Sequence, residues 1–228
     1  MNTPLLSVIV PVFNEAKTIR VILERISAVE GIEKEIIVVD DGSTDGTDRL
    51  LKDLSNKSVR IIYHSSQRGK GAAFLTGLDN AQGELVIIQD ADFEYDPNDF
   101  SKLIQAYKQQ NADLVFGARF INGHDGLFLH RLGNKVLTMV LNVLFGSKLN
   151  DYATCYKLAS RSTFIELGLK ASGFDIDVEI VCNALKKKKR IVELPVAYFP
   201  RTYKDGKKIR WRDGIWALFY MIKYRLLR

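Results

Sequence analysis

The sequence is poor in cysteine, with only Cys155 and Cys182 among 228 residues. Their separation matches no metal-ligand spacing, and two thiols make no disulfide framework. They read as small buried residues in a protein of a reducing compartment. No apolar run reaches the roughly 20 residues that a bilayer-spanning helix requires. Met1 to Pro4 leads straight into a predicted strand, with no signal pattern. Linkers, low-complexity tracts and internal repeats are also missing. Gly69-Lys70-Gly71 lacks the spacing of a Walker P-loop and of the dinucleotide fingerprint. What remains is an ordinary globular composition, long enough for one large α/β domain or one domain with an added lobe.

Charge is unevenly placed. The net charge is +6, but residues 201–228 hold nine Lys/Arg against two Asp, so this tail carries +7 and the first 200 residues sum to −1. A basic tail calls for an anionic partner: nucleic acid, lipid headgroups or a phosphorylated substrate.

Short β-branched runs at 7–11, 35–39, 59–63, 85–88, 114–116 and 191–196 predict strands. Between them, helical spacing predicts helices over about 17–29, 49–54, 71–78, 100–108 and 175–185. The alternation implies a mostly parallel sheet with helices on both faces. Two longer amphipathic helices are expected at 127–149 and 211–227. The second carries Trp211, Trp216, Tyr220 and Tyr224 among basic residues, a pattern of membrane-surface helices as well as of ordinary packing. Lys186 to Lys189 reads as a solvated helix end that would also attract anionic lipid.

The most informative stretch is Glu84 to Glu94. The buried-type run Leu85 to Ile88 ends in Asp90 and Asp92, with Glu94 two residues on. Acids at the carboxyl end of a parallel strand lie where open α/β sheets bind ligands. Carboxylate oxygens suit Mg²⁺ or Mn²⁺, an ion often shared with substrate phosphates. A plain acidic turn before the helix start at Asp96-Pro97 would account for the same residues. Gly69-Lys70-Gly71 reads either as a phosphate cradle or as a helix start. Asp40 to Thr47 reads as a turn plus a cap, although a pair of acids is more than a cap requires.

Taken together the pieces are more specific. Pro11-Val-Phe-Asn-Glu15, Val38-Val-Asp-Asp-Gly-Ser-Thr-Asp45, Arg68-Gly-Lys-Gly71, Asp90-Ala-Asp92 and Gly117-Ala-Arg119 occur in this order. The series resembles family-2 glycosyltransferases of the GT-A fold. The second half resembles the polyprenyl-phosphate sugar transferases of that family, the dolichyl-phosphate mannose and glucose synthases and their bacterial relatives. The pieces are Arg131-Leu-Gly-Asn134, Asp151 through Lys157, Glu193-Leu-Pro-Val196, Arg201 and Gly206 through Gly214.

The resemblance implies an α/β, Rossmann-like GT-A sheet with C-terminal amphipathic helices. Residues 1–126 would form the nucleotide-sugar core, and 127–228 the acceptor and membrane side of the same domain. Pro11, Phe13, Glu15, Val39 and Asp41 would hold the base and ribose of a UDP- or GDP-sugar, with Lys70 also on the donor. Asp90, Ala91 and Asp92 would touch ribose, diphosphate and a Mg²⁺ or Mn²⁺ ion, with Glu94 as a further metal ligand. Arg119 would belong to the acceptor loop, Arg131 would meet the acceptor phosphate, and Arg201 the donor diphosphate. Glu94 stands where mannose synthases commonly have Gln, and the Gly-Lys-Lys-Ile-Arg-Trp run departs from their Ser-Lys-Leu version. The implied reaction is inverting transfer to a polyprenyl phosphate, on the cytosolic face of a membrane, with a separate membrane subunit as a further partner. The alternatives are a family-2 enzyme acting on a carbohydrate or lipid hydroxyl, and a non-catalytic module binding nucleic acid. Against the last, the basic tail has no nucleic-acid motif.

Overall fold

The computed structural model describes residues 6–54, 59–121, 128–201 and 211–226. Strands β1 (Leu6–Val12), β2 (Lys34–Asp40), β3 (Val59–Tyr63), β4 (Leu85–Ile88), β5 (Leu114–Ala118), β6 (Lys157–Ser160) and β7 (Ile191–Pro195) form one sheet. Their order is β3-β2-β1-β4-β6-β5-β7. It is flanked by α1 (Ile19–Ala28), α2 (Thr47–Leu54), α3 (Lys70–Asn80), α4 (Phe100–Gln109), α5 (Phe128–Phe145), α6 (Arg161–Leu167), α7 (Ile176–Lys186) and α8 (Trp211–Leu226). Leu127, residues 206–210 of the basic motif and Leu227 lie outside the described residues, as do Lys204 and Arg228 of the tail.

The central strands form because their residues are β-branched and covered on both faces. Val8 to Val10, Ile37 to Val39 and Val86 to Ile88 are fully buried. Pairs β1/β2, β2/β3, β1/β4 and β5/β7 are parallel, while β6 runs antiparallel to both β4 and β5. All strands but β6 therefore end at one edge of the sheet. Because β6 is reversed, its first residue, Lys157, reaches that same edge.

The sequence pattern does not predict β6 or α6. Lys-Leu-Ala-Ser has no apolar run and opens on a charge. The seven-residue α6 is too short for periodicity and is bounded by its caps instead. The Ser160 hydroxyl accepts from Thr163 N–H, and Gly168 closes the helix at φ 64°.

Helix α5 is apolar on two sides: Leu141 is fully buried, and Leu137, Leu144 and Phe145 pack against the core. Three of its polar side chains share that inner side: Asn134 reaches Asp151, Thr138 bonds back to the Asn134 carbonyl, and Asn142 bonds Leu149 and Ser147. Its apolar side chains Leu132, Val136, Met139 and Val143 face outward, with Val143 80% exposed. Helix α8 packs beside it. Met221 and Tyr224 of α8 are buried, while Ile215, Trp216, Phe219, Ile222 and Leu226 are exposed.

Candidate active site

The loops after β1 and β2 are sewn together by short polar side chains. Asn14, at φ 53°, accepts from Thr44 N–H at 2.7 Å and donates its own N–H to Ser43 Oγ at 2.9 Å. Glu15 N–H donates to Thr47 Oγ1 at 3.0 Å. The repeated Asp, Ser and Thr between 40 and 47 thus shape this rim. Pro11 and Val39 face each other in the strand register. The Val39 side chain is sealed in the core, leaving only backbone for a ligand.

Asp41 has two jobs' worth of partners. Its Oδ1 accepts from Arg68 N–H at 2.9 Å and lies 2.7 Å from His64 Nδ1; its Oδ2 accepts from Gly69 N–H at 2.7 Å. Further along, the N–H groups of Gly71 and Ala72 donate to the carbonyls of Gly173 and Ser172. The N–H groups of Gly69, Gly71 and Ala72 are thus taken by protein acceptors, as at a plain helix start. Both glycines are required by this approach. A Cβ on Gly69, at φ 103°, would meet the Ser172 carbonyl, and one on Gly71 the Ala171 carbonyl.

At the end of β4 the acids meet two cations. Lys70 Nζ lies 2.9 Å from Asp90 Oδ1 and 3.3 Å from Asp177 Oδ2. Arg201 Nη2 lies 2.5 Å from Asp92 Oδ2, and Nη1 3.4 Å from Glu15 Oε2. The backbone delivers Arg201 there. Tyr95 and Tyr198 form a β-bridge, Phe199 N–H donates to the Glu94 carbonyl, and Arg201 N–H donates to Glu94 Oε1 at 2.9 Å. Among the described residues, Arg201 Nε is buried without a hydrogen-bond partner. Burial, then the charges of Asp90 and Glu94, push the Asp92 carboxyl up to about 7 against the opposing pull of Arg201.

Around Asp151 the arrangement is closed. Arg119 donates Nε to Oδ2 and Nη2 to Oδ1, both at 2.7 Å, and its backbone N–H adds a bond at 3.0 Å. The guanidinium also lies over the rings of Phe120 and Tyr198. Burial works to raise the Asp151 pKa, but the Arg119 charge outweighs it and holds the carboxyl below its ordinary range. Arg119 thus pins the 150–151 turn. Glu193 fixes that turn from its other side by accepting from Asn150 N–H and Asp151 N–H.

Of the residues singled out in the sequence, Glu15, Lys70, Asp90, Asp92, Glu94 and Arg201 come together in one cluster. Ala91 is buried inside its turn, and Phe13 is partly exposed on the β1 rim. Arg131 is exposed on α5, one turn before Asn134. Sequence reasoning missed Asp177, which lies in the first turn of α7, where an acid also complements the helix dipole. It also missed the buried Lys157, whose ammonium lies 2.6 Å from Asp177 Oδ1.

A divalent ion suits the strand-end acids on one ground. Asp92 is a desolvated carboxyl raised by two neighbouring acids, and a nearby cation relieves that repulsion. Among the described residues, no three His, Cys, Asp or Glu side chains form a metal cage of their own. A site of one or two carboxylates completed by phosphate oxygens and water is the usual arrangement for Mg²⁺.

The family description "Glycosyl transferase family 2" matches residues 7–168. Glycosyltransferase AglJ of Haloferax volcanii is 29% identical over 232 residues, covering 99% of this chain and 73% of that protein. A dolichol-phosphate mannosyltransferase of Pyrococcus furiosus is 31% identical over 209 residues, covering 88% of this chain. The match spans only 58% of the mannosyltransferase, less than two thirds of its length. Among solved structures, glucosyl-3-phosphoglycerate synthase of Mycobacterium tuberculosis, in complex with Mn²⁺, UDP and phosphoglyceric acid, superposes with a TM-score of 0.71 at 20% identity. That similarity covers 96% of this chain and 78% of the synthase, and it shows that the fold is GT-A.

Proposed function

The chain belongs to glycosyl transferase family 2, and from that premise we propose that it moves a sugar from a UDP- or GDP-sugar to a polyprenyl phosphate, with inversion. The observation that carries the lipid side of this reading is the second, outward apolar stripe of α5. Polar residues 134, 138 and 142 of the helix serve the protein interior, while Leu132, Val136, Met139 and Val143 face out beside the exposed apolar residues of α8. Lys223 and Arg225 are exposed on the same two-helix unit. Apolar residues bordered by cations fit the interface of an anionic membrane, where a lipid acceptor presents its phosphate. No helix among the described residues is long and apolar enough to cross a membrane. Peripheral docking on the cytosolic face is the geometry we infer.

In this reading Pro11, Phe13, Glu15 and the backbone at Val39 border the base and ribose, with Asp41 and Ala91 shaping the loops around them. Asp90, Asp92 and Glu94 would hold Mg²⁺ or Mn²⁺, which supplies positive charge to the departing diphosphate. Arg201, held by Asp92 and Glu15, would transfer its charge to the same diphosphate. Its Nε, buried without a hydrogen-bond partner among the described residues, is a donor suited to a phosphate oxygen. Arg131 would meet the acceptor phosphate on the exposed face of α5, while Arg119 keeps the neighbouring turn in place.

A phosphate nucleophile is already ionised at neutral pH and needs no general base, whereas a hydroxyl does. The buried acids beyond the β4 end suit the former. Asp151 is clasped by Arg119, and Asp177 is held below the ordinary range because Lys157 and Lys70 outweigh its burial. The test is a screen of UDP- and GDP-sugars against undecaprenyl and dolichyl phosphate, with and without EDTA. Chelator-sensitive formation of an organic-extractable sugar lipid is expected. Transfer only to water-soluble hydroxyl acceptors would reject the reading.

A further inference from the structure

Behind the site, four charged side chains alternate in sign along a buried row. Asp90 stands at its outer end, at the end of β4. Lys70 Nζ lies between Asp90 Oδ1, at 2.9 Å, and Asp177 Oδ2, at 3.3 Å. Lys157 closes the inner end, 2.6 Å from Asp177 Oδ1, with its ammonium also donating to the Thr154 carbonyl and lying over the Phe116 ring. The Lys157 side chain is fully buried, and that of Asp177 is 14% exposed. Four different segments supply the row: the loop after β4, α3, α7 and the reversed strand β6. The starts of α3 and α7 are tied together by Ala72 N–H to the Ser172 carbonyl at 2.9 Å and Gly71 N–H to the Gly173 carbonyl at 3.2 Å. Lys70 and Asp177 therefore cannot drift apart independently.

Desolvating such groups is costly, and a well-packed apolar substitute is often as stable, so the row needs a reason other than stability. We propose that Lys157 and Asp177 are positioning residues of the donor site, which set how firmly Lys70 holds Asp90 and thereby how strongly Asp90 attracts the donor's divalent cation. This rests on the reading that Asp90 meets that cation. Lys70 is one ammonium shared by two carboxylates. Neutralising Asp177 gives Lys70 to Asp90 alone and screens the cation's ligand. Removing Lys157 leaves Asp177 with Lys70 alone, and this draws Lys70 away from Asp90. The two changes therefore act in opposite directions, although both remove a buried charge.

The experiment compares the full chain with its Asp177→Asn and Lys157→Met variants. Mn²⁺ is titrated alone and with UDP or GDP, and the free ion is followed by electron paramagnetic resonance. Asp177→Asn should weaken Mn²⁺ binding on the order of tenfold, and Lys157→Met should strengthen it by about threefold or more. A purely structural role lowers the melting temperature of both variants without moving affinity in opposite directions. Shifts of the same sign, or none, in folded variants that are compared with a wild type that binds Mn²⁺ would overturn the proposal. A wild type that fails to bind Mn²⁺ with either nucleotide would overturn the cation reading of Asp90 as well. Circular dichroism reports folding. If one variant does not fold, the sign of the shift in the other decides.

Discussion

Arg201 and Asp92, 109 residues apart in the chain, meet with Nη2 2.5 Å from Oδ2, at the point where the Asp92 carboxyl is raised to about 7. The folded protein therefore binds more protons than the unfolded chain between 3.8 and about 7. In that window its stability should fall as pH rises. Urea denaturation at pH 5 and pH 8 measures this. Asp40 and Glu193, also raised by burial, contribute the same sign. Asp92→Asn isolates the Asp92 share by flattening the slope. Mn²⁺ should also flatten it, and its affinity should increase with pH through about 7 as the proton is displaced. A slope unchanged in the variant would show that Asp92 is ionised throughout.

The same Asp92→Asn variant should be at least as stable as wild type at pH 8, because it removes a crowded buried charge. Transfer should fall on the order of 100-fold or more, since charge acting on the leaving group is lost. Turnover comparable with wild type, still requiring metal, would place the ion elsewhere.

Asp41→Ala should lower stability as well as donor affinity. The variant leaves two backbone N–H groups and the His64 imidazole without their acceptor. Each unsatisfied buried group costs about 1–3 kcal/mol. KM for the nucleotide sugar should rise more than kcat falls, because α3 and its Lys70 remain near but less ordered. An unaltered melting temperature would mean that the start of α3 does not depend on this carboxylate.

Asp151→Ala should be among the most damaging single changes, at about 3–5 kcal/mol, because it strands the buried Arg119 guanidinium. Asp151→Asn, which retains an oxygen acceptor, should cost less. The low Asp151 pKa stabilises the fold above the unfolded value of 3.8, and that contribution disappears as pH falls through the folded value. Acid denaturation of wild type and Asp151→Asn provides the comparison: equal midpoints would exclude the pair as a determinant of acid stability.

Liposome co-sedimentation should show two components of membrane binding. The basic residues produce a part that weakens with salt, and the apolar faces of α5 and α8 produce a salt-resistant remainder. A Trp216→Ala/Phe219→Ala variant should lose the remainder and retain the first part. Absence of wild-type sedimentation with anionic vesicles at low salt would point to docking through another membrane component.

The sheet was readable wherever strands are continuous β-branched runs. All six such runs are strands that end at one edge, and the acids after β4 stand there as a ligand-facing group. Two kinds of information were not available from local pattern. Strand β6 is held by its neighbours rather than by its own hydrophobicity, and its leading Lys157 is stabilised by Asp177, 20 residues later. The orientation of α5 was equally hidden. Its outward stripe at 132, 136, 139 and 143 has the spacing of a core face, and only the burial of Leu141 and the partners of Asn134 and Asn142 show which side turns inward. The motif order was sufficient for the family resemblance, but the protein acceptors at the start of α3 and the closed Arg119–Asp151 clasp are tertiary facts.

The placement of β6 between β4 and β5 bears on any attempt to exchange donor and acceptor halves between relatives. A cut at residue 126 leaves β5 with the first piece but removes the strand that joins it to β4. Two open backbone edges would then face each other across a missing strand, a template for pairing with other chains. Chimeras should instead retain β6 and the α7 start from the same parent as β4 and α3, so that both lysines arrive with the acids they neutralise.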